Sequence, residues 1–74
     1  MKEKNIINNK IAGEKIKKLR KNKKLTAKEL GELCSVSTQA IRMYECGYRR
    51  PIDEVKVSIS KALGTSVQKL FYSE

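Results

Sequence analysis

This 74-residue chain contains no histidine and no tryptophan, a single proline, four glycines, two cysteines, and an aromatic share of only 5%. With no histidine, and with Cys34 and Cys46 the only thiols, neither a zinc site nor a disulfide framework can be assembled from the usual ligand spacings. Both cysteines read as free intracellular thiols. One proline and four glycines exclude a collagen-like or low-complexity chain. No stretch approaches the ~18 apolar residues of a membrane span, and the N-terminus has no apolar signal core, so the expected location is cytoplasmic. The same absences speak against an enzyme, since there is no glycine-rich phosphate loop and no setting that would activate a thiol. No catalytic residue, cofactor, metal or small-molecule ligand is expected. The chain also leaves no room for a sensor domain, so any control is expected to act through dimerisation, partner binding or protein level.

Acidic residues are scarce in one region in particular. The formal net charge is +9, and residues 1–28 hold eleven Lys/Arg against only Glu3 and Glu14, whereas residues 29–74 balance six against six. A field this one-sided favours a polyanion such as nucleic acid, although a solvated helix face carries the same composition.

The middle of the chain carries the strongest local signals. Thr26 and Glu29 have the spacing of a capping box, in which the Thr26 hydroxyl accepts from the Glu29 N–H and the carboxylate accepts from the Thr26 N–H. Leu25, just before the cap, is placed as a hydrophobic staple. Leu30, Leu33 and Cys34 recur at helical spacing, which predicts a helix over about 27–34 with these three on its inner stripe. Ser37 offers a second cap, Ile41 and Tyr44 repeat the step, and Gly47 supplies a left-handed stop, predicting a helix over about 38–46. Two helices so short must cross. That is a helix-turn-helix, whose second helix enters the major groove of DNA.

On either side the pattern is helical too. Ala12, Ile16 and Leu19 predict a helix over 10–22, preceded by a flexible arm over 1–9, so the folded domain is expected to span 10–74. Asp53 is read as the cap of a helix carrying Val55, Ile59, Ala62 and Leu63, stopped by Gly64. Ser66 caps a short last helix that turns Val67, Leu70 and Phe71 inward. Five helices with local connections make an all-α domain.

The elements Gly13-x-x-Ile16-x-x-Leu19-Arg20, Leu25-Thr26-x-x-Glu29-Leu30, Val36-Ser37-x-x-x-Ile41-x-x-x-Glu45-x-Gly47-x-Arg49-x-Pro51, Lys61-Ala62-Leu63-Gly64 and Leu70-Phe71 occur in order. Over Gly13 to Phe71 the chain resembles the phage-repressor-like helix-turn-helix domains, the lambda repressor/Cro or XRE family. The resemblance implies a compact five-helix lambda-repressor-like domain that binds double-stranded DNA and regulates transcription, as a repressor, in the form of a homodimer on a palindromic operator. It places the dimer seam on the last helix (Val67, Leu70, Phe71, Tyr72). It also implies a partly buried ion pair between Arg20 and Glu45 that orients the reading helix. Three departures stand out. Ala27 replaces a glutamine that braces a phosphate in the family, a place where helix amides and Lys28 remain available. Ser35 replaces the turn glycine, so it must take a small strain if positive φ is required there. Asp53 and Lys56 stand where the family has leucines, with Ile52 and Val55 expected to fill in.

With Ile41 and Tyr44 inward, the outer face of the second helix of the motif is Thr38, Gln39, Arg42 and Met43, the residues expected to read base edges. A glutamine amide pairs bidentately with adenine, arginine reaches guanine or a phosphate, and Thr38 and Met43 offer apolar contact to a thymine methyl. Lys28, Ser37, Tyr48, Arg49 and Arg50, with Lys24 as a further candidate, are expected on phosphates. Lys10, Lys15, Lys17, Lys18 and Lys21 lie on the first helix, where long-range attraction is the expected role. Competing with DNA binding is a protein-interaction module of the same fold, an antitoxin or anti-activator. A restriction-modification controller is a further reading within the DNA-binding class.

Overall fold

The computed structural model describes residues 2–72, with side chains from Asn9 onward. Its helices are α1 (Lys2–Asn22), α2 (Ala27–Cys34), α3 (Thr38–Cys46), α4 (Asp53–Leu63) and α5 (Val67–Phe71), and no strand occurs among the described residues. Three of the four caps read from the sequence form as expected. Thr26 Oγ1 accepts from the Glu29 N–H at 3.0 Å while the Thr26 N–H donates to Glu29 Oε1 at 2.8 Å. Ser37 accepts from the Ala40 N–H and Ser66 from the Lys69 N–H. Gly47 and Gly64 both close their helices in the left-handed region.

Each helix contributes one side chain to the centre: Ile16, Leu30, Ile41, Ile59 and Leu70 are the large residues with less than 2% exposure. Burying each contributes roughly 1.5–3 kcal/mol, so α2 to α5, each too short to stand alone, are held against α1 by one shared cluster. Cys34, Tyr44 and Leu63 complete it, with Leu19, Leu25 and Val36 packed around it. The axis of the fold is the crossing of α1 over α3. A Cβ at Gly13 would collide with the carbonyl oxygens of Tyr44 and Glu45, so only glycine lets the two backbones approach this closely.

The structure corrects several expectations. Helix α1 begins at Lys2 rather than Lys10, because neither glycine nor proline interrupts residues 2–12. The side chains of residues 1–8 lie outside the described residues, and with them the expectation of a flexible arm over 1–9. Leu33 is not on the inner stripe of α2 but 61% exposed, since the buried face of that helix is centred on Leu30, Gly31 and Cys34. Asp53 does not cap α4: Ile52 takes the cap position with no side-chain bond, and Asp53 instead pairs with Lys56 at 3.7 Å.

Ile52, expected to stand in for a family leucine, is 65% exposed, whereas Lys56 itself is buried to 5% exposure. Its methylene stem fills the apolar position, and its ammonium donates to the Tyr72 hydroxyl at 2.8 Å and lies against the Phe71 and Tyr72 rings. Leu70, assigned to a seam between copies, is consumed by the chain's own core at 1% exposure. The Ser35 expectation holds: its φ is 58°, and Lys24 adopts 59°. Non-glycine residues in that region carry a strain of about 1 kcal/mol.

Candidate nucleic-acid interface

The reading element is built by the Ser35–Ser37 turn, which sets α3 across α2. The Val36 N–H bonds back to the Gly31 carbonyl at 2.9 Å, ending α2, and Ser37 caps α3 two residues after Ser35 has turned the chain. Ile41 and Tyr44 anchor the inner side of α3 in the core. Opposite them, Gln39 and Arg42 are exposed, while Thr38 and Met43 are half-buried along the flanks of the same face. Lys28, Ser37, Tyr48, Arg49 and Arg50 are all exposed around it, Tyr48 to 83%. The sequence-derived set is thus solvent-accessible, on α3, at its cap, in the first turn of α2 and in the loop that follows α3.

What holds α3 in that pose is the Arg20–Glu45 pair. Arg20 Nε donates to Glu45 Oε2 at 2.6 Å and Nη2 to Oε1 at 3.2 Å, while Nη1 donates to the Leu25 carbonyl at 2.8 Å. The two side chains retain only 12% and 7% exposure. One guanidinium thus ties the end of α3 to both α1 and the chain entering α2, with every contact charge-assisted.

Beside this pair runs an open groove of about 510 Å³ between α1, the start of α2 and α3, lined by Lys17, Lys24, Thr26, Ala27, Arg42 and Cys46 around the Arg20–Glu45 bridge. Lys17, expected from the sequence to supply long-range attraction, lines this groove together with Arg42. A signal for this existed: Lys17 precedes Arg20 by three residues, one turn along the same face of α1, and Arg20 is bonded to α3. Lys10 is also closer to the site than expected, its Cα lying against Gly47. Lys15 belongs elsewhere, donating to the Lys69 carbonyl at 3.1 Å on α5. Among the described residues no group of His, Cys, Asp and Glu is arranged to hold a metal ion, and no helix is long and apolar enough to cross a membrane.

The comparisons with known proteins agree with this geometry. The helix-turn-helix family profile matches residues 16–70. A solved structure, the clp gene regulator ClgR from Corynebacterium glutamicum, is similar with a TM-score of 0.80 and 28% identity, over 85% of this chain and 67% of that one. No curated protein matches the chain in sequence. With the motif, its caps and the crossing α2–α3 pair all in place, the chain belongs to the XRE-type helix-turn-helix family of DNA-binding transcription regulators.

Proposed function

We propose that this protein is a sequence-specific repressor that inserts α3 into the major groove of double-stranded DNA. The observation that carries this reading is the exposure of Gln39 and Arg42 on the outer side of α3, while Ile41 and Tyr44 fix its inner side. Gln39 is the principal base reader, its amide matching adenine N6 and N7, with Thr38 and Met43 against thymine methyls and Arg42 reaching guanine or phosphate. Lys28, Ser37, Tyr48, Arg49 and Arg50 hold phosphates on either side and fix the register of the helix. The protein acts in the cytoplasm as a homodimer on a palindromic operator. The seam uses the exposed part of α5, at whose end Tyr72 is 61% exposed.

Selection of bound sites from a random duplex pool tests this. The expected result is a palindromic consensus with half-sites about one helical turn apart. No enrichment would refute DNA reading and favour the protein-partner class, an antitoxin or anti-activator.

A further inference from the structure

The groove beside α3 holds three cations that the fold leaves uncompensated. Lys17 comes from α1, Lys24 from the turn before α2, and Arg42 from α3, and the acid that shares the groove, Glu45, is already bonded to Arg20. Among the described residues none of the three forms an ion pair. Three exposed cations gathered from separate parts of the chain make the groove a favourable place for an anion. Lys24 is also held at φ 59°, a conformation its side chain disfavours. The groove opens to solvent, which suits a phosphate presented from outside better than a small molecule enclosed on all sides.

Resting on the reading above, we propose that Lys17, Lys24 and Arg42 together seat one backbone phosphate of the duplex, and that Arg42 is thereby withdrawn from base reading. The polar face of α3 left to the bases is then Thr38, Gln39 and Met43. None of these carries the arginine or lysine that pairs with guanine, whereas glutamine matches adenine and the two apolar tips match thymine methyls. The half-site contacted by α3 is accordingly built of A·T pairs.

The test measures affinity and its salt dependence for wild type, Lys17→Ala, Arg42→Ala, Lys24→Gly and the control Lys18→Ala, on the selected duplex and on a mixed-sequence duplex. Glycine suits the Lys24 backbone, so that variant loses a charge while keeping or gaining stability. Because the dimer carries each change in both half-sites, each groove variant is expected to flatten the log–log salt slope by up to about 1.8, which at 0.1 M salt is up to about a sixtyfold loss, equal on both duplexes. Lys18→Ala is expected to change the slope little. The consensus selected by Arg42→Ala should match the A·T-centred one selected by wild type. Several results would overturn the proposal while leaving DNA binding intact. One is a guanine in the wild-type half-site that Arg42→Ala no longer selects. Another is a Lys17→Ala loss no larger than that of Lys18→Ala. A third is a Lys17→Ala change confined to melting temperature, which would mark Lys17 as a partner of the α3 C-terminus. Failure of the wild-type protein to bind either duplex would instead remove the underlying reading.

Discussion

Removing Glu45 exposes how much of the reading surface depends on one buried contact. In the native fold Arg20 and Glu45 share two hydrogen bonds at 2.6 and 3.2 Å and are 12% and 7% exposed. Glu45→Ala leaves the guanidinium in place with only the Leu25 carbonyl as partner. Breaking such a pair costs roughly 3–5 kcal/mol, because the survivor is an uncompensated charge shielded from water. A domain of this size has about 4–11 kcal/mol of net stability in total. With an unfolding entropy near 2.1 cal/mol/K per residue, about 0.16 kcal/mol/K for the whole chain, the loss lowers Tm by about 20–30 °C. Arg20→Ala should be the more damaging, since it also strips the Leu25 carbonyl of its donor just before the α2 cap. The double replacement Arg20→Leu with Glu45→Leu should recover most of the loss, because two apolar side chains leave no orphaned charge. Thermal unfolding followed by circular dichroism reads all four proteins. A Glu45→Ala shift below about 6 °C, equivalent to ~1 kcal/mol, or a double variant no more stable than the single ones, would refute the assignment of this pair as the strut of α3.

Four further outcomes follow from the same coordinates. Ser35→Gly relieves a φ of 58° and should raise stability by about 0.5–1 kcal/mol, seen as a Tm gain of a few degrees; a loss would mean that the turn tolerates serine without strain. Gly13→Ala drives a Cβ to 2.5 Å from the Glu45 carbonyl oxygen, so α1 must lift from α3, costing about 1–3 kcal/mol in denaturant unfolding and weakening DNA binding with it. Lys56→Leu exchanges a desolvated ammonium for an apolar side chain while Tyr72 stays solvated, and Tm should hold or rise; a drop above ~1 kcal/mol would show that the Tyr72 hydroxyl bond contributes net stability.

The thiols give the fourth. Burial pushes the Cys34 thiol up from its ordinary value, so the folded protein is the weaker acid there. The unfolded chain loses that proton first, so the contribution is intact below the ordinary thiol range and lost as pH rises above it. The stability gap between wild type and Cys34→Ala should therefore narrow in alkali. Exposed Cys46 should alkylate much faster than buried Cys34 at neutral pH, and bound duplex should protect it; equal rates would contradict the burial.

Much of this fold was legible because its signals are local. A hydroxyl three residues before a glutamate, a serine before an apolar repeat, and a glycine after the last turn specify Thr26, Ser37 and Gly47 through bonds that close within a few residues. The outward set on α3 follows from the same periodicity once Ile41 and Tyr44 are turned inward. Arg20 and Glu45 were placed by resemblance to a family, since nothing in the spacing of two charges 25 residues apart makes them partners.

The misreadings share one cause. Periodicity measures angles on a helix but not which neighbour covers them. Leu33 matched the apolar step of α2 and is still exposed, because α3 and α4 cover the arc centred on Leu30, Gly31 and Cys34. Ile52 was expected to fill a family leucine's place and is exposed, while Lys56 itself is buried, because a four-carbon stem can fill an apolar site while its charge reaches the rim beside Tyr72. Chain order alone settled the caps at Thr26, Ser37 and Ser66 and the stops at Gly47 and Gly64, whose bonds span a single turn. The groove of Lys17, Lys24 and Arg42 needed three helices packed together, since its residues meet only when the shared core sets the crossing of α1, α2 and α3.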